Sequence, residues 1–444
     1  MPRTDALLIR GGHLIDPSQG LDAPGDILLA EGKVAWVGKP GEPPPQKPAQ
    51  ILPAKGLVVC PGFIDLHCHL REPGFEEKET IATGTLAAAR GGFTTVCCMA
   101  NTNPPLDNLA SVEFVLRRAA ELGAVRVLPV ACVSQGRKGQ ELAEMAELAG
   151  AGAVAFSDDG DPVASTRLMR HALEYALPLG LPIMDHPQDV SLSQGGVMHE
   201  GWVATRLGLK GMPSAAEEVA VARDILLAEL TGGWVHLQHL STAGSVELVR
   251  LAKEKGLPIT AEVTPHHLAL THELVLGKSP DFPGLHPYDT RTKVNPPLRS
   301  KEDVAALIQG LKDGIIDAIA TDHAPHTRVD KECEYDLAAS GISGLETALG
   351  LLLGLVHRGE IGLPDLIALL TSGPARILKA AGIPGLGTLQ AGAPADVTVF
   401  DPDAEWTVEP EAFASKGRNT LLAGAVLRGK AMATIYGGKV VFQG

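Results

Sequence analysis

Between residues 61 and 383 the chain alternates short, almost continuously apolar runs with amphipathic runs of helical period. FIDLHCHL (63–70), FTTVCCMA (93–100), VRVLPVACV (125–133), VAFSDD (154–159), LPIMDH (181–186), WVHLQHL (234–240), LPITAEVTPH (257–266) and IIDAIATDHAP (315–325) predict strands. Apolar residues at consecutive rather than alternate positions suit strands buried on both faces of a parallel sheet. The intervening pattern predicts helices near 80–90, 109–122, 139–149, 167–180, 214–233, 245–256 and 302–313, with more after the last strand. Glycine closes several of them, as at Gly92, Gly180 and Gly256, which is a helix C-cap signal. Eight strand-then-helix units predict an α/β fold, a TIM (β/α)8 barrel rather than a doubly wound sheet.

The two ends are patterned differently. ALLIRGGHLID, DILLAEGKVAWVG and QILPAKGLVVC before the barrel, and GTLQAGAPADVTVFD and TLLAGAVLRGKAMATIYGGKVVF after it, predict short strands separated by turns such as EGK and GGK. The expected organisation is a small β-sandwich-like domain built from both chain ends, residues 1–60 and 385–444, with the barrel of residues 61–384 inserted between them.

Composition narrows the function. The 444 residues are 45% hydrophobic and 20% charged, enough to bury a large core and unlike a disordered chain. Lys plus Arg is 38 against 52 Asp plus Glu, a net charge of -14, and no basic cluster interrupts it. Nucleic acid and anionic membranes are therefore not expected partners. No uncharged apolar stretch of about 18 residues marks a membrane span, and MPRTDALLIRGG lacks the pattern of a secretory signal. A cytoplasmic location is expected. Cys60, Cys68, Cys97, Cys98, Cys132 and Cys333 form no CxxC pair and sit mostly in apolar runs, which suits free thiols rather than a disulfide framework.

Chemistry gathers at the ends of the predicted strands. His67 and His69 end the first, and alternation points residues two apart to one side. By itself an HxH pair is common and weak. The fourth strand, however, ends in Asp158-Asp159, the fifth in His186, the sixth in His239 and the eighth in Asp322. Active sites of such barrels lie at that C-terminal face. Imidazole and carboxylate donors without thiolate suit Zn²⁺, with Mn²⁺ or Co²⁺ as substitutes. Four His and two Asp suffice for two ions about 3.5–4 Å apart, with a carboxylate as the bridge. A water between such ions becomes a hydroxide source near neutral pH.

At these residues the sequence resembles the dihydroorotase family of the amidohydrolase superfamily. PGFIDLHCHLREPG (61–74), MANTNPP (99–105), FSDDG (156–160), HLQHLST (236–242), VNPPLR (294–299), TDHAPH (321–326) and GISGLETAL (341–349) carry the resemblance, which spans nearly the whole chain. It implies zinc-dependent, reversible cyclisation of N-carbamoyl-L-aspartate to L-dihydroorotate in pyrimidine (UMP) synthesis. It also implies that His67, His69, Asp159 and Asp322 hold one ion and Asp159, His186 and His239 the other. The DDG pattern matches the subgroup bridged by aspartate instead of carboxylated lysine. Motif register favours Asp159 over Asp158.

By the same resemblance Asp322 is both ligand and proton shuttle while the bridging hydroxide attacks the ring amide carbonyl. Arg71, two residues beyond His69, has the planar fork suited to a substrate carboxylate. Asn101 and His326 join it there, whereas Asn295 and the backbone at Ser340 and Gly341 take the amide edge. His69 also lies on the substrate side. Gln188 departs from the acidic residue common in relatives. Cys68 is expected to point into the core, and the long stretch 273–293 to shape the pocket. His199, His266, His267, His272, His286 and His323 are expected to be structural or solvated. A homodimer and a complex with aspartate transcarbamoylase are implied partners. Two alternatives stand: an allantoinase or hydantoinase acting on another cyclic ureide, and a non-catalytic partner of the transcarbamoylase, which would be expected to lack metal ligands.

Overall fold

In the computed structural model, which describes residues 6–379 and 381–444, the central element is a nearly closed parallel barrel. Its strands are β1 (Phe63–Cys68), β2 (Phe93–Cys98), β3 (Arg126–Ala131), β4 (Ala155–Phe156), β5 (Ile183–Asp185), β6 (Val235–Leu237), β7 (Ile259–Val263) and β8 (Ala318–Ile319). They lie side by side in sequence order. Closure comes past the strand ends, where Cys68 bridges His323 and the His69 N–H donates to the His323 carbonyl at 2.9 Å. The continuous apolar runs serve two faces at once. Cys97, Leu128, Val130 and Met184 belong to one buried cluster. Val96, Val127, Ala131 and Ile183 belong to another that includes helix residues Ala87, Ala88 and Val112.

The covering helices are α1 (Ile81–Arg90), α2 (Leu109–Leu122), α3 (Met145–Ala151), α4 (Thr166–Ala176), α5 (Ala215–Thr231), α6 (Ala243–Glu254), α7 (Lys301–Lys312) and α8 (Ala348–His357). Thr80, Asn108, Ser165, Thr242 and Ser300 cap their helices by accepting an N–H of the first turn, so each strand-to-helix loop ends at a defined residue. The third helix starts later than its pattern predicts. Residues 135–142 instead form a tight turn, with Gly136 and Gly139 in left-handed backbone and a bridge between Ser134 and Leu142.

Both chain ends enter one eight-stranded sheet. Strand Val58–Pro61, from the N-terminal part, pairs antiparallel with Val397–Thr407, from the C-terminal part, and leads directly into β1. The buried Asp16 carboxylate also accepts the Leu389 N–H at 2.6 Å and the Thr388 hydroxyl at 2.9 Å. Between Val397–Thr407 and Val426–Tyr436 the chain leaves the sheet and crosses onto the barrel's catalytic face, where Asn419 bonds residues beyond β8. Among the described residues no helix is long and apolar enough to cross a membrane.

Candidate active site

The sequence-predicted ligands converge just beyond the strand ends, and the strands stop shorter than their apolar runs. β4 ends at Phe156 because Asp158 turns aside: its Oδ1 accepts the N–H groups of Val133 and Ser134 at 2.9 and 3.1 Å. Asp159 alone then faces the barrel mouth. Its Oδ1 lies 3.5 Å from His67 Nε2, 3.4 Å from His186 Nδ1 and 3.6 Å from His239 Nε2. Its Oδ2 lies 3.5 Å from His69 Nε2. Asp322 Oδ1 is 3.0 Å from His69 Nε2 and 3.6 Å from His67 Nε2. Two overlapping donor groups result, His67–His69–Asp322 and His67–Asp159–His239, which share His67.

The donor set fits divalent metal. His67 Nε2, which faces Asp159 and Asp322, is buried without a hydrogen-bond partner. Most spacings in the cluster are too long for a good hydrogen bond, yet they match donors each about 2.0–2.2 Å from a shared ion. Burial opposes charge on Asp159, but the His67 charge and the bonds to His186 and His239 outweigh it and hold the carboxyl well below its usual range. Burial likewise opposes charge on Asp322, and His67 and His69 again prevail. His239 and Asp322 both adopt left-handed backbone, at φ 34° and 45°, rare for residues with a Cβ and concentrated at functional sites.

On the substrate side Asn101 links the two halves: its Oδ1 is 2.8 Å from His69 Nδ1 and its Nδ2 donates to Asp159 Oδ2 at 3.3 Å. Arg71, also left-handed at φ 61°, donates from Nε to the Pro325 carbonyl at 3.3 Å and comes within 3.5 Å of His326 Nε2. Burial lowers its pKa to about 10, so the guanidinium stays charged at neutral pH. His326 Nε2–H donates to the Ser340 carbonyl at 2.8 Å. The Gly341 N–H is taken by the Lys293 carbonyl at 3.0 Å, so this amide is already committed within the protein. Asn295 Nδ2 donates to Gln188 Oε1 at 2.9 Å and leaves its own Oδ1 buried and unpartnered. Tyr288, Asp289 and Arg291, from the 273–293 stretch, help line an open cavity of about 1210 Å³ that His326 also borders.

The Dihydro-orotase-like family matches residues 56–245. Over 438 residues the chain is 54% identical to a Dihydroorotase of Pelotomaculum thermopropionicum, covering 98% of each. A Dihydroorotase of Anaeromyxobacter dehalogenans is 53% identical over 440 residues, 99% of this chain and 98% of that protein. This chain belongs to the dihydroorotase family. The solved L-Hydantoinase (Dihydropyrimidinase) from Arthrobacter aurescens shares the architecture at a TM-score of 0.87 and 25% identity, covering 99% of this chain and 96% of that one. The dihydroorotase-family chain is accordingly an enzyme of the cyclic-amide hydrolase class.

Several residues of this dihydroorotase-family site have no role assigned from the sequence. Glu262 accepts from His67 Nδ1 at 3.0 Å and from His236 Nε2 at 3.1 Å, and these two bonds, against the burial that opposes them, hold its carboxyl down at about 2. Gln238 Nε2 lies 3.2 Å from His67 Nδ1. A buried acid in the strand ITAEV is the one hint the pattern offers. Gln188, at the departure from the family pattern, accepts from both His186 and Asn295. Cys68 points away from the ligands, its thiol donating to the Cys97 carbonyl at 3.3 Å. His323 pairs with the buried Glu79 at 3.3 Å, and His267 lies 3.0 Å from the Pro296 carbonyl, both as structural partners.

Proposed function

We propose that this chain is a dihydroorotase, interconverting N-carbamoyl-L-aspartate and L-dihydroorotate in de novo pyrimidine synthesis in the cytoplasm. The observation that carries the reading is the Asp159 carboxylate, whose Oδ1 faces His67, His186 and His239 and whose Oδ2 faces His69, next to a charged Arg71 suited to a substrate carboxylate. The identity of 53–54% to Dihydroorotases over nearly the full length, against 25% to the L-hydantoinase, supports the same substrate. His67, His69, Asp159 and Asp322 would hold one Zn²⁺, and Asp159, His186 and His239 a second, with Mn²⁺ or Co²⁺ able to substitute. Bound there, the ions supply Lewis acidity to the ring carbonyl and acidity to the attacking water.

The chain's own groups do the rest. In the hydrolytic direction Asp322, held ionised beside His69, accepts a proton from the attacking water and returns it to the departing ring nitrogen. In the synthetic direction the same carboxylate takes the proton from the ureido nitrogen as it closes on the carboxyl carbon and returns it to the departing carboxyl oxygen, which leaves as water. Arg71, Asn101 and His326 hold the substrate carboxylate, while Asn295 and the Ser340–Gly341 segment form the wall against the amide edge.

Steady-state kinetics on L-dihydroorotate, allantoin and hydantoin test the assignment. L-dihydroorotate is the expected preferred substrate, and a higher kcat/KM for either of the others transfers the chain to the allantoinase or hydantoinase class. The complete ligand set speaks against a purely structural partner of aspartate transcarbamoylase. Self-association as a dimer and co-purification with that transcarbamoylase are separate expectations, checked by sedimentation and pull-down.

A further inference from the structure

The strand-to-strand excursion 408–425, in the C-terminal part of the chain, contributes a residue to the opposite side of the substrate pocket. Asn419 is buried at 4% exposure and uses all its side-chain hydrogen-bonding capacity. Nδ2 donates to the carbonyls of Ala324 and Gly341 at 2.9 and 3.1 Å. Oδ1 accepts the His326 N–H at 2.9 Å and the Ser343 hydroxyl at 2.8 Å. Two carbonyls on one side and a peptide N–H on the other leave the amide a single orientation. One side chain thus clamps the segment carrying His326 to the segment carrying Ser340 and Gly341.

The rest of the excursion reinforces that clamp. Gly417 lies flat on Pro325, and a Cβ there would come within 2.5 Å of the Pro325 Cβ. Pro325 in turn offers the carbonyl that holds Arg71 Nε. Two of the three groups proposed for the substrate carboxylate, Arg71 and His326, therefore hang on backbone that Asn419 and its neighbours secure. None of the metal donors bonds to Asn419.

We propose that Asn419 is a positioning residue for the substrate carboxylate, acting through the Pro325–His326 backbone and through Gly341. The proposal rests on the dihydroorotase reading. Its removal loosens the Arg71–His326 pocket and leaves the metal donors in place.

The test is an Asn419→Ala variant with L-dihydroorotate as substrate and orotate as a carboxylate-bearing competitive inhibitor. KM is expected to rise about tenfold, with kcat within about twofold of wild type, the signature of lost ground-state binding. The orotate Ki should rise in parallel, and metal content should not change. Asn419→Asp keeps the shape and the acceptor but loses the donor to Ala324 and Gly341, so it should show the same KM rise if the alanine variant fails to fold. An unchanged KM in a folded variant overturns the proposal, as does a fall in kcat at constant KM or a loss of metal. Wild-type enzyme without turnover of L-dihydroorotate would instead overturn the activity assignment.

Discussion

Glu262 joins His67 to His236, with one carboxylate oxygen 3.0 Å from His67 Nδ1 and the other 3.1 Å from His236 Nε2. The bond keeps a proton on His67 Nδ1, so that with an ion bound the Nε2 lone pair would be the one available to it. Such outer partners of metal-ligating histidines typically cost about 10–100-fold in metal affinity when lost. Glu262→Ala should weaken metal binding by that order, measured by competition with a chelator. Wild-type affinity in the variant would show that Glu262 does not govern the ligand.

The adjacent aspartates should separate cleanly. Asp159→Ala should lose bound metal and turnover together. Asp158 bonds only backbone and Ser134 across the loop after β3. Asp158→Ala should retain its metal and lose about 1–3 kcal/mol of stability, because it orphans buried N–H donors. Metal analysis and urea denaturation of both variants check this.

Replacing Asp322 with Asn keeps the volume and removes the proton acceptor. Turnover should fall about 10²–10⁴-fold in both directions, the usual scale of a general acid–base contribution. Rates measured from L-dihydroorotate and from N-carbamoyl-L-aspartate decide it, and wild-type rates in either direction remove Asp322 from proton transfer.

Gly341 has a φ of 140°, and a Cβ there would meet the Ala324 Cβ at 2.7 Å, the Ala324 carbonyl at 2.9 Å and His326 Nε2 at 3.1 Å. Gly341→Ala should therefore cost about 1–3 kcal/mol of stability from backbone strain alone. It should also raise KM for L-dihydroorotate by displacing His326. Thermal denaturation and steady-state kinetics give the two readouts.

His326 should leave a signature in the pH dependence of stability. Burial, together with the charges of Arg71, Lys331 and Lys78, pushes its imidazole down to about 3. Unfolded histidine titrates near 6.5, so between about pH 6.5 and 3 the unfolded chain binds the extra proton. This group's contribution is constant above that window and falls as the pH drops through it. Urea midpoints across pH 4.5–8 should decline more steeply for wild type than for His326→Gln, and parallel curves would refute the shift.

The architecture was largely legible along the chain. A strand buried on both faces needs apolar residues at consecutive positions, so the barrel strands stood out by their runs, and polar residues at their ends stood out against them. His67, His69, Asp159, His186, His239 and Asp322 were visible for that reason, and all of them meet at one face. The helix after β3 was placed too early because left-handed glycines at 136 and 139 break a pattern that periodicity alone continues.

By itself the order of residues determined the eight strand–helix units, the pairing of both chain ends into β structure, and the kind of donors at the catalytic face. Tertiary structure alone decided that Asp158 turns aside to the Val133 and Ser134 N–H groups, leaving to Asp159 the place that motif register gave it, and that Glu262, Gln188 and Asn419 support the site. The physical reason is that period-two alternation holds only while a ladder continues. Beyond the last ladder bond the chain bends through left-handed residues such as His239 and Asp322, and side-chain direction there is set by partners remote in sequence, as when Asn419 takes hold of His326.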